Sequence, residues 1–277
     1  MHKILEKRNL APKVNSFTIE APQIAQSAQA GHFVVLRLSE KGERIPLTIA
    51  DWDRQRGTIL LVCQTFGKTS ELFNRLDVGD EILDLLGPLG TPIEVKNYGT
   101  VVLVGGGVGV PAILCKAKEL KAEGNKVISI IGAQRKEMLI LREEMASHSD
   151  EIYCTTDDGS YGRAGLVTDV LKEVISSDKP DLVIAVGPVP MMRAAVNVAK
   201  ASDIPSIVSL NPIMVDGTGM CGCCRVSVAG ETKFACVDGP AFDGAQVDFE
   251  ELSSRQRFFR EEEARSWKGE HQCQCGK

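Results

Sequence analysis

The stretch Thr100-Val-Val-Leu-Val-Gly-Gly-Gly-Val-Gly-Val-Pro111 leads directly into the helix-like residues 112–123. Its apolar half, Val101–Val104, has the composition of a strand that is buried on both faces of a parallel sheet. The glycines that follow let the backbone turn tightly before the helix begins. The order strand, glycine turn, helix predicts the first unit of a doubly wound α/β domain.

The same alternation continues along the chain. Three further apolar strands are predicted at Val127–Ile131, Glu151–Thr155 and Leu182–Val186, and each precedes a helix-like stretch, at 137–147, 166–175 and 191–201. Strands that alternate with helices favour a parallel sheet with helices on its faces. We therefore expect an α/β domain over residues 99–210.

Residues 1–98 have a different pattern, with short β-type runs separated by Gly and Pro. The runs are Ser16–Glu20, His32–Leu38, Thr58–Cys63 and Glu81–Leu86, and the helical signal is confined to Thr69–Leu76. Closely spaced strands of this kind predict a small β-barrel. The expected fold class is a β-barrel plus α/β, followed by a metal-binding subdomain at 211–246 and a helix with a polar tail at 247–277.

Composition narrows the functional classes. The chain has 277 residues, 43% hydrophobic and 25% charged, with a net charge of −5. Nucleic-acid binding is not expected because it normally needs a basic face, and no apolar run is long enough to cross a bilayer. The start, Met-His-Lys-Ile-Leu-Glu, has no apolar signal segment, which points to a reducing cytoplasm where cysteines are ligands or thiols.

The cysteines form one informative motif, Asp216-Gly-Thr-Gly-Met-Cys-Gly-Cys-Cys224, followed by Cys236. The gaps match the plant-type iron–sulfur run, with an aspartate in the first ligand position. Glycines let a loop fold tightly round a cluster and direct N–H groups at its sulfurs. We predict a [2Fe–2S] centre held by Asp216, Cys221, Cys224 and Cys236, with Cys223 spare. Structural zinc and a disulfide set are the alternatives.

Three turns are predicted to meet at the carboxyl edge of the α/β sheet: Gly105–Pro111, Thr156–Ser160 and Gly187–Met191. Ligands bind at this edge in such folds, and glycines let a pyrophosphate approach a helix N-terminus. Asp157 and Asp158 suit ribose hydroxyls and repel a 2′-phosphate, which favours NAD(H). Arg135 and Lys136 weaken that preference, and a role of the aspartates as turn formers stays open.

The barrel contains two segments that suit a flavin nucleotide. Arg44-Ile-Pro-Leu-Thr-Ile49 combines a permanent cation with a stiff segment and a hydroxyl, and Gly67-Lys-Thr-Ser70 precedes a short helix. A strand with a surface arginine and a simple helix cap are the alternatives.

Taken in this order, the motifs resemble those of the ferredoxin–NADP reductase superfamily. They are most similar to two groups, the electron-transfer subunits of class 1B dihydroorotate dehydrogenase and the small subunits of NADH-dependent ferredoxin:NADP oxidoreductase. The resemblance covers residues 1 to about 250. The aspartate at position 216 favours the second group, whereas Val186 departs from the cysteine that many reductases have before Gly187-Pro188.

The resemblance implies FAD, NAD(H) as substrate and a [2Fe–2S] cluster, with no catalytic acid or base from the protein. The implied FAD-binding residues are Arg44, Pro46, Leu47, Thr48, Val62, Cys63, Gln64, Gly67, Lys68, Thr69 and Ser70. The implied NAD-binding residues are Gly106, Gly107, Gly109, Asp157, Asp158 and Gly187.

The implied function is electron transfer between NAD(H), FAD and the cluster within a flavin-based bifurcating complex. The implied partner is a larger subunit with another flavin and [4Fe–4S] centres, which forms a heterodimer and connects the chain to ferredoxin and NADP(H). A dihydroorotate dehydrogenase subunit and a non-enzymatic redox sensor are the alternatives. The stretch Val247–Trp267 predicts a surface helix or an interaction arm, and His271, Cys273 and Cys275 lie in a tail expected to be mobile.

Overall fold

A computed structural model describes residues 1–267 of the chain. The N-terminal sheet is a nearly closed antiparallel barrel, as predicted. Its strands are β1 (His2–Ala11), β2 (Val14–Glu20), β3 (Phe33–Arg37), β4 (Arg44–Asp53), β5 (Thr58–Gln64), β6 (Glu81–Ile82) and β7 (Asp84–Leu89), in the order β6-β1-β2-β5-β4-β3-β7.

Several details of the barrel differ from the sequence prediction, and strand β1 was not among the predicted runs. The single run expected at Glu81–Leu86 is divided, because β6 pairs with β1 and β7 pairs with β3 at the opposite end of the sheet. The barrel also has two helices, α1 (Pro22–Ser27) and α2 (Lys68–Arg75), of which only the second was expected. In α1, Ile24 and Ala25 are buried, so packing stabilises a helix too short to form by itself.

The second sheet confirms the predicted α/β domain. Its strands have the order β11-β10-β9-β8-β12-β13-β16, and all but the last are parallel. They are β8 (Thr100–Gly106), β9 (Lys126–Ala133), β10 (Glu151–Thr156), β11 (Arg163–Ala164), β12 (Leu182–Val186), β13 (Ser206–Ser209) and β16 (Ala241–Asp243). The helices are α3 (Val110–Ala122), α4 (Arg142–Ser147), α5 (Val167–Asp178) and α6 (Val189–Lys200).

The helix expected at 137–147 is shorter than predicted. A 3-10 turn occupies Lys136–Met138, and α4 begins only at Arg142, after Leu141 in a left-handed conformation with φ 54°. A left-handed residue interrupts helical hydrogen bonding, so the charged pattern that looked continuous in the sequence is divided in two.

The C-terminal part contains the hairpin β14 (Arg225–Val228) and β15 (Glu231–Phe234), then α7 (Phe249–Gln256) and α8 (Arg260–Trp267). The predicted helical stretch at 247–267 is therefore helical with one interruption. Strand β16 leaves this part of the chain and pairs antiparallel with β13 of the α/β sheet. The proposed domain limits stay a prediction, and the prediction for the cysteine-containing tail lies outside the described residues.

Two apolar cores each span more than one part of the molecule. Helix α3 packs between its own sheet and barrel strand β4, so a single apolar core runs from the barrel into the α/β domain. The second core joins Phe33 and Val35 of the barrel to Cys224 and Cys236 of the C-terminal part. Over residues 1–267, no helix combines the length and apolar character needed to span a membrane.

Candidate functional site

Strand β4 carries the Arg44–Ile49 segment along the barrel face beside β3. Its register places Arg44 opposite Arg37, Pro46 opposite Val35, and Thr48 opposite Phe33. Arg44 is exposed, and Pro46, Leu47 and Thr48 are half-buried. The half-buried side chains of such a strand can pack against a flat ring system. The exposed guanidinium at its first residue can bind a phosphate of the same molecule. This arrangement fits the predicted flavin role.

Helix α2 begins within the segment predicted to bind the pyrophosphate. The Thr69 and Ser70 hydroxyls of this segment already form hydrogen bonds within the protein. Ser70 Oγ accepts hydrogen bonds from the N–H of Phe66 at 2.8 Å and of Gly67 at 2.9 Å, so the cap alternative is realised. Thr69 is buried and donates its hydroxyl to Glu43 at 3.1 Å. The first backbone N–H groups of a helix have no partner inside the helix, so the amides of 68–70 are the donors suited to a phosphate.

Gly67 and the following strand define the remaining contacts of this site. A Cβ placed on Gly67 would meet no atom within 4 Å, so the backbone there is open to a ligand. In β5, Val62 and Cys63 are buried and Gln64 is half-buried. Burial raises the pKa of the Cys63 thiol to about 12, so this side chain stays protonated.

The glycine turn after β8 has two kinds of glycine. A Cβ on Gly109 would lie 2.1 Å from the carbonyl oxygen of Val186, and one on Gly106 would lie 2.4 Å from the sulfur of Met191. Gly187 is packed in the same way, since its Cβ would lie 2.9 Å from the Met191 methyl carbon. Backbone occupies the Cβ space at Gly109, so glycine is needed there for close packing between the ends of β8 and β12, whereas at Gly106 and Gly187 the nearest atom belongs to the flexible Met191 side chain.

Gly107 differs from the other three glycines. It has a left-handed φ of +53°, and a Cβ placed there would meet nothing within 4 Å. The open backbone at Gly107 therefore offers room for a pyrophosphate at the start of α3. The turn that contains it also packs against β5 of the barrel, so the nucleotide and flavin segments face one another.

The Asp157-Asp158 turn follows β10 at the same sheet edge. Asp158 accepts hydrogen bonds from the N–H of Ser160 at 2.9 Å and from its hydroxyl at 2.6 Å. These bonds from Ser160 lower the pKa of Asp158, so it is a carboxylate at neutral pH. The turn-forming alternative thus accounts for Asp158, while Asp157 is exposed. A ribose contact by either aspartate stays a prediction.

Sequence reasoning missed a group of side chains beside this turn. Lys136, Arg142 and Tyr161 line a cavity of about 290 Å³. The guanidinium of Arg142 lies 5.1 Å from the centre of the Tyr161 ring and donates to its hydroxyl, and Lys136 Nζ lies 5.9 Å from the ring centre. An aromatic ring between two cations suits a base that carries phosphate. In the sequence, only Lys136 gave a signal.

The cysteine-rich loop is shaped by three left-handed glycines, Gly217, Gly219 and Gly222. Within it, the Asp216 carboxylate accepts hydrogen bonds from the N–H groups of Thr218 and Cys221, each at 2.8 Å. The hydrogen bond from Thr218 holds the pKa of Asp216 below its usual value, and the hydrogen bond from Cys221 adds a smaller effect in the same direction. The aspartate is therefore an anion that lies directly beside the Cys221 backbone.

The structure brings the four predicted donors together as two pairs. Cys224 and Cys236 are both buried, and their sulfur atoms lie 3.2 Å apart. Asp216 is joined to the backbone of Cys221 by the bond described above. Two thiolates on one tetrahedral metal lie about 3.8 Å apart, so the buried pair is close to the spacing that one metal needs.

Within residues 1–267, no three His, Cys, Asp or Glu side chains surround a single ion position. A [2Fe–2S] cluster has two irons, and two donor pairs suit it. The four ligands stay a prediction.

The loop lies against barrel strands β3 and β7, of which β3 pairs with the flavin segment. A Cβ on Gly217 would lie 2.6 Å from a methyl carbon of Leu89 and 3.1 Å from one of Val35. Val35 is the register partner of Pro46. Thr91, which follows β7, also connects the barrel to the C-terminal part. It donates its N–H to the carbonyl oxygen of Gly239 and its hydroxyl to the carbonyl oxygen of Val237, the latter at 2.8 Å. The cluster loop and the flavin strand are thus separated by one strand.

Comparison with known proteins agrees with this geometry. Residues 211–248 match the iron–sulfur cluster binding domain of dihydroorotate dehydrogenase B. A dihydroorotate dehydrogenase B (NAD⁺) electron-transfer subunit homologue from Thermotoga maritima is 47% identical over 267 residues, which are 96% of this chain and 94% of the relative. The electron-transfer subunit of Bacillus caldolyticus is 34% identical over 253 residues, 88% of this chain and 96% of its own.

The chain belongs to the dihydroorotate dehydrogenase B electron-transfer subunit family.

A chain from a solved structure of the NADH-dependent reduced ferredoxin–NADP oxidoreductase, studied for flavin-based electron bifurcation, superimposes on this chain. Its TM-score is 0.93 with 46% identity, and the match covers 97% of each chain. More distant structures share the fold alone, such as a ferredoxin–NADP⁺ reductase from Neisseria gonorrhoeae, with 20% identity and a TM-score of 0.62. The predicted family, fold and oxidoreductase class are confirmed.

Proposed function

We propose that this chain is the subunit of a flavin-based electron-bifurcating oxidoreductase that connects NAD(H) to an iron–sulfur relay. Its cofactors are FAD and a [2Fe–2S] cluster, and NAD(H) is its substrate. When bound, FAD supplies the exchange between the two-electron chemistry of nicotinamide and the one-electron chemistry of the cluster. The protein contributes position, stacking and electrostatics, and no side chain acts as an acid or base.

One observation carries this proposal. Cys224 and Cys236 share an apolar core with Phe33 and Val35 of barrel strand β3. Strand β3 pairs in register with the Arg44–Ile49 segment of β4. The donors of the predicted cluster are therefore packed onto the strand next to the predicted flavin strand. A dry, close-packed connection of this kind suits electron transfer between two bound centres.

The proposed residue roles follow from the same geometry. Arg44 and the open N-terminus of α2 hold the flavin nucleotide phosphates, while the half-buried β4 side chains line the ring. The open backbone at Gly107 holds the pyrophosphate of NAD(H), and Gly106, Gly109 and Gly187 keep the strand ends close enough to form that surface. Asp216 and Cys221 hold one iron, and Cys224 and Cys236 hold the other.

The proposed partner is a larger subunit that carries a second flavin and [4Fe–4S] centres and reacts with ferredoxin and NADP(H). Support comes from the 97% mutual coverage with the ferredoxin–NADP oxidoreductase chain and from the aspartate in the first ligand position. The family model and the named relatives also support the second candidate, a subunit of dihydroorotate dehydrogenase B. Either complex would act in the cytoplasm.

The deciding experiment is anaerobic purification of the native complex followed by identification of the partner by mass. We expect a flavin and [4Fe–4S] protein, and NADPH oxidation coupled to reduction of both ferredoxin and NAD⁺, or the reverse. A barrel-type dihydroorotate-oxidising partner would overturn the bifurcating role in favour of the second candidate. A colourless chain that contains zinc and no iron would overturn both.

A further inference from the structure

The C-terminal helix α7 holds the cluster loop at two points. Arg255 donates from Nη2 to the carbonyl oxygen of Cys223 at 3.2 Å. The next residue, Gln256, donates from Nε2 to the carbonyl oxygen of Asn211 at 2.8 Å and to its side-chain oxygen at 2.9 Å. Adjacent residues of one helix therefore fix the beginning of the loop and the residue just before Cys224.

A second arginine holds the neighbouring peptide. Arg225 donates from Nη1 to the carbonyl oxygen of Gly222 at 2.9 Å. Two guanidinium groups are thus bound to consecutive carbonyls, those of Gly222 and Cys223. Since a trans peptide directs its C=O and N–H to opposite sides, these bonds turn the N–H groups of Cys223 and Cys224 away from the arginines.

Both arginines line one cavity with cysteines of the loop. The cavity has a volume of about 240 Å³ and contains Cys221, Cys223, Arg225 and Arg255, with Phe258 and Phe259 at its edge. Inside residues 1–267, the Nε of Arg255 is a buried nitrogen with no hydrogen-bond partner. A cation that is partly removed from water is weakly screened, so its field extends into the loop.

We propose that Arg255, supported by Arg225, is a positioning residue that shapes the cluster loop and raises the reduction potential of the cluster. Reduction adds negative charge to the cluster, and nearby positive charge stabilises the reduced form. The proposal rests on the proposed function, because it requires the [2Fe–2S] centre.

The test is an EPR-monitored redox titration of the anaerobically purified full chain, with iron and sulfide quantified. At the parent midpoint, we expect Arg255→Gln to lower the ratio of reduced to oxidised cluster by about threefold or more, the effect of one partly screened charge. Arg255→Lys retains the charge and restores part of the shift. Arg257→Gln, which removes an exposed charge two residues further on, leaves the midpoint unchanged.

If Arg255→Gln loses its cluster, its midpoint cannot be measured, so a second measurement is made on the metal-free chain. In the metal-free chain, Arg255→Gln should increase amide exchange over 217–224 at least several-fold while the thermal midpoint of the barrel stays that of the parent. Loss of iron in Arg255→Gln with iron retained in Arg257→Gln would support the loop-holding role. Full iron content with an unchanged midpoint and unchanged exchange would overturn the inference alone. A parent without iron would overturn it together with the proposed function.

Discussion

At the scale of single residues, glycines at the strand ends serve two different purposes. A Cβ at Gly109 would collide with backbone, and one at Gly106 or Gly187 would meet the Met191 side chain, whereas Gly67 and Gly107 are open. The sequence gives all five the same appearance. Only the surrounding packing separates a glycine that brings two strands together from one that leaves room for a ligand.

The first prediction concerns Gly109→Ala. The added Cβ would collide with the Val186 carbonyl at 2.1 Å, so we expect a loss of about 1–3 kcal/mol in the free energy of unfolding and weaker NADH binding. Urea denaturation and NADH titration measure both effects. Gly67→Ala is the control, because its φ is −153° and its Cβ position is open. Equal stability of the two variants would contradict the packing role.

The second prediction concerns Lys116, a fully buried lysine in α3. Its ammonium donates to the carbonyl oxygen of Ala112 at 2.8 Å, and burial lowers its pKa. Lys116→Met removes the desolvation penalty, so we expect about 1–3 kcal/mol more stability at pH 7. Lys118→Met is the control, since Lys118 is partly exposed and paired with Asp51, and it should not stabilise the protein.

The stability gained in Lys116→Met depends on pH, and the lowered pKa of Lys116 sets the direction of that dependence. A lysine whose pKa is lower when folded binds fewer protons in the native state, so stability rises with pH up to the unfolded pKa of about 10.4. The stability difference between Lys116→Met and the parent should therefore narrow between pH 7 and 10. Denaturation series at several pH values measure it, and a constant or widening gap would count against a penalty from charge burial.

At the scale of elements, the cluster loop combines a donor role with a folding role in Asp216. Its carboxylate accepts two backbone hydrogen bonds, so an alanine substitution disturbs the loop as well as the donor set. Helix α2 shows a similar overlap, because Ser70 caps the helix at the position where a phosphate is predicted. Variants at such positions must separate the two roles.

The third prediction separates them at Asp216. Asp216→Asn keeps an oxygen acceptor for one N–H but removes the anionic donor, so we expect iron content to fall to half or less of the parent value. Asp216→Cys should retain iron, with an altered EPR spectrum, because thiolate replaces oxygen. Iron and sulfide analysis with circular dichroism measures content and folding. Full iron content in Asp216→Asn would remove the carboxylate from the ligand set.

At the scale of the whole molecule, the barrel and the α/β domain share one apolar core through α3, and the cluster part joins both. Strand β16 extends the α/β sheet, while Thr91 and Gly217 connect the cluster part to the barrel. Three segments that are separate in sequence are therefore mechanically connected. This arrangement keeps the flavin and cluster segments at a fixed separation.

The fourth prediction is that the barrel and the α/β domain unfold together. Trp52 lies in the barrel core, and Trp267 is the other tryptophan of the chain. In a Trp267→Phe background, urea transitions followed by Trp52 fluorescence and by helical circular dichroism should coincide, because the shared core breaks in one step. Two separate midpoints would show that the interface through α3 contributes little stability.

Local features of the sequence were sufficient for much of this description. The apolar runs of β8, β9 and β12 identified the parallel sheet, and the spacing from Asp216 to Cys236 identified the cluster motif. Boundaries were less accurate, as at 137–147, because the left-handed Leu141 has no sequence signal. The group around Tyr161 was missed because its members are separated in the sequence and only Lys136 gave a signal there.

By itself, the sequence determined the order of the barrel, the α/β domain and the cluster motif, because strand, turn and metal-donor patterns act over a few neighbouring residues. Only the tertiary structure decided that the loop packs on Val35 and that Arg255 holds Cys223. These contacts join residues far apart in the chain, so they depend on how the elements pack in three dimensions.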